Sequence, residues 1–149
     1  MPIEVAKKFI DMLLDNDENT QQYVDTKGKT GVVIEFIGGE PFLEVDLMDE
    51  IMTYFIKQMI LKDHPWQYHY VISIASNGTL YFNEKVQRFI EKYRNHLSLS
   101  ISIDGNKELH DACRVFPDGS GSYDIAIKAV HHYIDHWKGQ MGSKMTLSP

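Results

Sequence analysis

The sequence predicts an α/β fold on parallel strands, a partial (β/α) TIM-type barrel. Helical and extended segments alternate along the chain, which implies parallel βαβ units. Each extended segment ends in polar or glycine-rich residues, as strand ends at a ligand-binding rim do. The third extended segment carries leucine or isoleucine at 97, 99, 101 and 103, and serine or aspartate at 98, 100, 102 and 104. A face of small polar groups is wasteful against a helix layer, because each buried hydroxyl needs a partner. It suits a lumen holding water, cofactor or substrate, and so favours a barrel over a doubly wound sheet.

The elements follow in order. Pro2 suits a helix start, and Val5, Phe9, Met12 and Leu13 make an apolar stripe, predicting a helix over residues 2–14. From Asp15 to Thr30 the chain is polar, with Lys27-Gly28-Lys29, and reads as a loop. Residues 31–37 are a β-branched apolar run ending at Gly38-Gly39, apolar on both faces like a strand buried between layers. Glu35 sits within it, sharing a face with Val33 and Ile37; a lumen or a salt bridge at the barrel bottom would accommodate its charge. Asp46 is the expected cap of a helix whose apolar positions are Met48, Ile51, Met52, Phe55, Ile56 and Met59, with Pro65 beyond its end. Residues 69–75 form the second strand, closed by Ser76-Asn77-Gly78. Asn83 caps a helix with Val86, Phe89, Ile90 and Tyr93 inward. After the third strand, Gly119-Ser120-Gly121-Ser122 leads into a helix with Ser122 as N-cap and Ala126, Val130, Tyr133, Ile134 and Trp137 on one face. Residues 144–147 read as the opening of a further strand.

Composition narrows the function classes. The 149 residues are 43% hydrophobic and 24% charged, enough apolar material for one domain core. A net charge of -6 argues against gripping nucleic acid by phosphate neutralisation. No segment has the length and apolarity of a membrane span, and the N-terminus lacks a secretory apolar stretch, so a cytoplasmic location is expected. The single cysteine, Cys113, excludes an internal disulfide and a multi-cysteine metal site, and reads as incidental. His132 and His136 have helical i, i+4 spacing but no evident third ligand. Asp15, Asp17 and Asn19 imitate the start of a calcium loop, yet Thr20 and Thr26 stand where glycine and glutamate are needed. No lysine follows the Gly119 loop as a phosphate-binding P-loop would require.

Three strand ends make the candidate rim: Gly38-Gly39-Glu40-Pro41, Ser76-Asn77-Gly78-Thr79 and Ser102-Ile103-Asp104-Gly105. Paired glycines let a ligand approach the backbone, and Glu40 offers a carboxylate to an amine. With Glu108, His110, Asp111 and Arg114, these segments resemble the core of a radical S-adenosylmethionine (radical SAM) enzyme, in its sulfatase- and peptide-maturase branch. The wording from Asp104 to Asp111 and the Gly119–Ser122 loop is most similar to maturases of cysteine-repeat peptides.

The resemblance implies S-adenosylmethionine (AdoMet) and a 4Fe-4S cluster as cofactors. It places Gly38, Gly39 and Glu40 at the AdoMet amino group, Ser102 and Arg114 at its other polar contacts, and Asn77 in the second rim motif. It implies a peptide or protein substrate modified by hydrogen abstraction, and an electron donor for the cluster. The family's CxxxCxxC loop has no counterpart here. Residues 1–149 are therefore expected to be a partial core domain, with the first strand, cluster loop and later barrel strands absent, inactive alone and prone to self-association. The alternatives are a non-catalytic truncated fragment or a stand-alone nucleotide-binding α/β module.

Overall fold

The computed structural model describes residues 2–145 apart from Tyr23, Asp25, Lys27 and Gln140, and the backbone alone at Ser143. The expectations for Lys27 and for residues 146–147 lie outside the described residues. Four strands, β1 (Val32–Phe36), β2 (Tyr70–Ser76), β3 (Leu97–Ser102) and β4 (Met141–Lys144), form one sheet in chain order. An order that never reverses is that of a barrel wall, whereas a doubly wound sheet contains a switch point. β2 pairs with β3 and β3 with β4, both parallel. The helices are α1 (Ile3–Asp15), α2 (Glu18–Gln21), α3 (Val45–Leu61), α4 (Glu84–Tyr93), α5 (Lys107–Cys113) and α6 (Tyr123–Trp137). Among the described residues no helix is long and apolar enough to cross a membrane.

Two compact units share the chain: Met1–Ile34 with Asp46–Val71, and Glu35–Val45 with Ile72–Pro149. In the first, Ile51, Met52, Phe55 and Met59 of α3 are buried, as their spacing predicts, whereas α1 buries Ala6, Ile10 and Leu14 and leaves Val5 and Phe9 of its expected stripe exposed. Lys7 bonds Glu50, the Tyr54 hydroxyl donates to Asp11, and Lys62 bonds Asp15. Partners advance together along both helices, so α1 and α3 run side by side in one direction. The segment expected to be a loop contains α2, where Asp17 Oδ1 accepts from the Thr20 N–H at 2.7 Å. The same bonds from Thr20 hold the Asp17 carboxyl below its usual range. Trp66 is buried, its indole N–H donating to the Lys29 carbonyl at 2.9 Å.

In the second unit the inward residues of adjacent strands match: Ile72 faces Leu97 and Ile74 faces Leu99. Ile72, Ile74, Leu99 and Ile101 are fully buried with Val86, Phe89 and Ile90 of α4 and Ala126 and Ala129 of α6. Each large apolar side chain buried in this way stabilises the fold by roughly 1.5–3 kcal/mol. Asn83 caps α4 as expected, its side chain accepting from the Lys85 N–H at 2.9 Å. Ser98, Ser100 and Ser102 take the less buried face of β3.

Several expectations are corrected. The face of β1 carrying Val33 and Glu35 is exposed, so this strand is not buried between two layers. Asp46 does not cap α3, because a 3-10 turn, Pro41–Glu44, runs directly into the helix and leaves Asp46 in its first turn. Residues 107–113, for which the sequence pattern predicts no element, form α5 with Asn106 as its cap. Ser122 precedes α6 without capping it, because its hydroxyl is engaged elsewhere. Ile134 is exposed on α6, and β4 begins three residues earlier than residue 144.

Candidate functional site

The polar rim lies in the second unit, at the C-terminal ends of β1, β2 and β3. Gly38 and Gly39 follow β1 with exposed backbones, and a Cβ on either would meet nothing within 4 Å. No packing in the described structure demands glycine there, so the pair leaves open backbone at the rim. Glu40 comes next, and its carboxylate bridges two rim segments. Oε1 accepts from the Phe42 N–H at 3.1 Å and the Ser76 hydroxyl at 2.9 Å, while Oε2 accepts from the Asn77 N–H at 2.7 Å.

The second segment is rooted in the core. Gly78 has φ +79°, and a Cβ there would sit 3.1 Å from Ile101 Cγ2 and 3.3 Å from Ala126 Cα. Both the left-handed backbone and the close approach require glycine. The Gly78 N–H donates to Ser76 Oγ at 2.9 Å. Asn77 Oδ1 accepts from the Thr79 N–H at 2.9 Å and the Thr79 hydroxyl at 2.7 Å, so its carbonyl end shapes the turn. The amide NH2 is the end of Asn77 that remains for a ligand.

At the third segment, Ser102 closes β3 with its neighbour Lys144 on β4. Two residues on, Asp104 Oδ2 accepts from Arg114 Nε, with the side chains 11% and 28% exposed. This bond engages one edge of the guanidinium and turns its Nη groups into the donors for a further partner. The Arg114 backbone is also pinned. The Ser122 hydroxyl donates to the Arg114 carbonyl at 2.9 Å, and Ser122 Oγ lies 3.1 Å from Nε2 of the fully buried His110. His110 Nδ1 accepts from the Asp104 N–H at 3.2 Å, so the proton sits on Nε2 and points at Ser122. Burial and the Arg114 charge push the His110 pKa down, keeping the ring neutral. Asp111 supplies what Ser122 does not, accepting from the Tyr123 N–H at the start of α6 at 2.8 Å. Gly121 makes room for it: a Cβ there would fall 2.0 Å from Asp111 Cγ.

Of the six expected site residues, the structure joins Glu40 to Asn77 through a hydrogen bond, with Gly38 and Gly39 beside Glu40 in sequence. It gives Arg114 to Asp104, and among the described residues it records no bond from Ser102 to the others. Ser76, Asp104, His110 and Ser122 support the rim, although sequence reasoning does not single them out as ligand contacts. Ser76 has a readable signal: the two-residue period places it on the face of Ile72 and Ile74, where a buried hydroxyl needs a partner.

Elsewhere, His132 and His136 stack with ring centroids 4.9 Å apart, and His132 Nδ1 lies 2.9 Å from the Tyr81 hydroxyl. Burial pushes the Tyr81 phenol up to about 12, so it stays protonated at neutral pH. Among the described residues no three His, Cys, Asp or Glu side chains are placed to hold a metal. Cys113 is exposed and carries no disulfide.

Parallel strands in chain order with a polar rim define an α/β barrel-wall protein. Its likenesses include one sulfatase-maturating enzyme. The chain is 28% identical over 131 residues to a cysteine-type anaerobic sulfatase-maturating enzyme of Clostridium novyi, covering 85% of this chain and 33% of that protein. It is 29% identical over 131 residues to an uncharacterized protein of Methanocaldococcus jannaschii, covering 88% of this chain and 38% of the other. Solved structures of anSMEcpe with bound AdoMet share the fold. The one that also holds the Kp18Cys peptide has a TM-score of 0.70 at 21% identity, covering 96% of this chain and 34% of that one. A histidine-tagged anSMEcpe with bound AdoMet gives a TM-score of 0.71. No family model matches the chain. The chain thus spans about a third of the length of the curated relatives it matches.

Proposed function

We propose that this chain is the AdoMet-binding part of a radical SAM enzyme of the sulfatase- and peptide-maturase branch, acting on a peptide or protein. The observation that carries this reading is the state of Glu40. A carboxylate offers about four acceptor positions, and here three are filled by protein donors. The remaining position belongs to Oε2, next in sequence to the open Gly38-Gly39 backbone.

In this reading Glu40 receives an N–H of the AdoMet ammonium, and the Gly38 and Gly39 backbones lie along its methionine moiety. Arg114, held by Asp104 through Nε, presents its Nη pair to the carboxylate in the fork geometry that suits such groups. Ser102 and the Asn77 amide NH2 supply neutral contacts. AdoMet held by these residues would supply the chemistry of hydrogen abstraction once an electron reaches it from outside residues 1–149.

The residues do not fit the cluster itself. A 4Fe-4S centre of this family needs three thiolates, whereas the sequence has one cysteine, exposed Cys113. Residues 1–149 then act as a partial core domain, with cluster ligands and the contact for an electron donor supplied by chain outside this sequence. Alone, this polypeptide binds without turning over. Ile37 and Leu43, 72% and 71% exposed, favour self-association of the isolated chain. A cytoplasmic location accords with the oxygen-sensitive chemistry of the proposed parent.

Isothermal titration of the chain with AdoMet tests the reading. Binding that falls at least tenfold in both Glu40→Ala and Arg114→Ala supports it; equal affinity in the wild type and both variants refutes it. A nucleotide that binds tightly while AdoMet does not would support the stand-alone nucleotide module instead.

A further inference from the structure

We infer that Ser76 is a positioning residue for Glu40, fixing which carboxylate oxygen, and which lone pair, faces an incoming amine. This deepens the AdoMet reading and rests on it. A serine hydroxyl has one proton to give and two lone pairs to receive. The Gly78 N–H takes a Ser76 lone pair at 2.9 Å, which turns the Ser76 proton toward Glu40 Oε1, 2.9 Å away. Ser76 is 2% exposed, so water cannot readily substitute for either bond.

The chain of support reaches the core. Gly78 is confined by Ile101 and Ala126, both fully buried, and so is a fixed donor. Ser76 transmits that fixed position to Oε1, which also accepts from the Phe42 N–H. Oε1 is thereby saturated, and rotation about the carboxylate is blocked. Oε2, with the Asn77 N–H as its one protein donor among the described residues, keeps the acceptor position that an ammonium would take. Without Ser76, Oε1 regains a vacant lone pair and the two oxygens compete for the amine and for Asn77. The pre-organised acceptor is lost although Glu40 remains.

The experiment compares three ligands on the full chain and its Ser76→Ala variant by equilibrium binding. AdoMet carries the amine and the carboxylate, decarboxylated AdoMet carries the amine alone, and 5'-methylthioadenosine carries neither. Ser76→Ala should weaken AdoMet and decarboxylated AdoMet by the same factor, about tenfold, the scale of one charge-assisted hydrogen bond. It should leave 5'-methylthioadenosine unchanged. In a Glu40→Ala background the Ser76 change should have no further effect on the ratio of amine-bearing to amine-free affinity. Should Ser76→Ala melt below the assay temperature, Ser76→Cys, similar in size but a weak donor, should show the same selective loss. An equal loss on all three ligands, or no loss on any, overturns the positioning role. A wild-type chain that binds AdoMet no better than 5'-methylthioadenosine removes the amine site, and Ser76's role falls with it.

Discussion

Glu40 should matter to the empty chain as well as to any ligand. Replacing it with alanine strips the acceptor from the Phe42 N–H, the Ser76 hydroxyl and the Asn77 N–H at once. Hydrogen bonds to a charged group contribute about 1.5–3 kcal/mol each, and donors left unsatisfied when buried cost about 1–3 kcal/mol. The bonds to the Phe42 and Asn77 amides are only partly buried, so part of their cost is recovered by hydration. Ser76 is buried, and its hydroxyl loses its acceptor in full. The expected destabilisation of Glu40→Ala is therefore about 2–3 kcal/mol, far below the sum of three charged bonds. Glu40→Gln should cost about 1–2 kcal/mol, because one amide oxygen can still serve Phe42 and Ser76 while the NH2 meets the Asn77 donor. Urea unfolding read by circular dichroism gives these values from the shift in midpoint at constant slope. A Glu40→Ala shift below about 0.5 kcal/mol, the range of an ordinary surface substitution, would refute the three-donor bracket and the lone-pair reasoning built on it.

His110 is held neutral by burial with a pKa below 6.5, so the unfolded chain binds its proton more readily than the folded one. That contribution is present above about pH 6.5 and is lost as pH falls toward the folded value; unfolding midpoints at pH 7.5 and 5.5 should drop more in wild type than in His110→Asn, and equal drops would contradict the assignment. Gly121→Ala should push Asp111 off the Tyr123 N–H, costing about 1 kcal/mol, the worth of a helix cap. The cost should vanish in an Asp111→Ala background; additive losses in the double-mutant cycle would place it elsewhere. Sedimentation of the isolated chain should show species larger than a monomer at micromolar concentration, and a single monomeric species would contradict the self-association drawn from Ile37 and Leu43.

Much of the fold is legible because its signals are periodic. The strict alternation from Leu97 to Asp104 and the Val86, Phe89, Ile90 and Tyr93 stripe behind Asn83 allow one reading each. Helix α5 is hidden from sequence reasoning because its seven residues bury His110 and present no apolar stripe. Ser122 looks like a cap by type, but a buried imidazole and a carbonyl claim its hydroxyl, and Asp111 takes the capping role from twelve residues away. The register of β4 is unreadable since Gly142 has little strand preference; the close approach of Ser100 Oγ, 2.7 Å from a Cβ placed there, explains its presence. At the rim, glycine-glycine-glutamate announces an open backbone beside a carboxylate. Two of the three donors to that carboxylate come from residues 36 and 37 positions later, and such pairings follow from topology alone.

The rim binding AdoMet by its amine and carboxylate is tested most directly by NMR of the 15N-labelled chain during an AdoMet titration. Saturable shifts should concentrate at the amides of Gly38, Gly39 and Glu40, Asn77 to Thr79, and Ser102 to Asp104, with the Arg114 Nε resonance moving alongside them. An unchanged spectrum at millimolar AdoMet, or saturable shifts confined to amides outside those three strand ends, would contradict it.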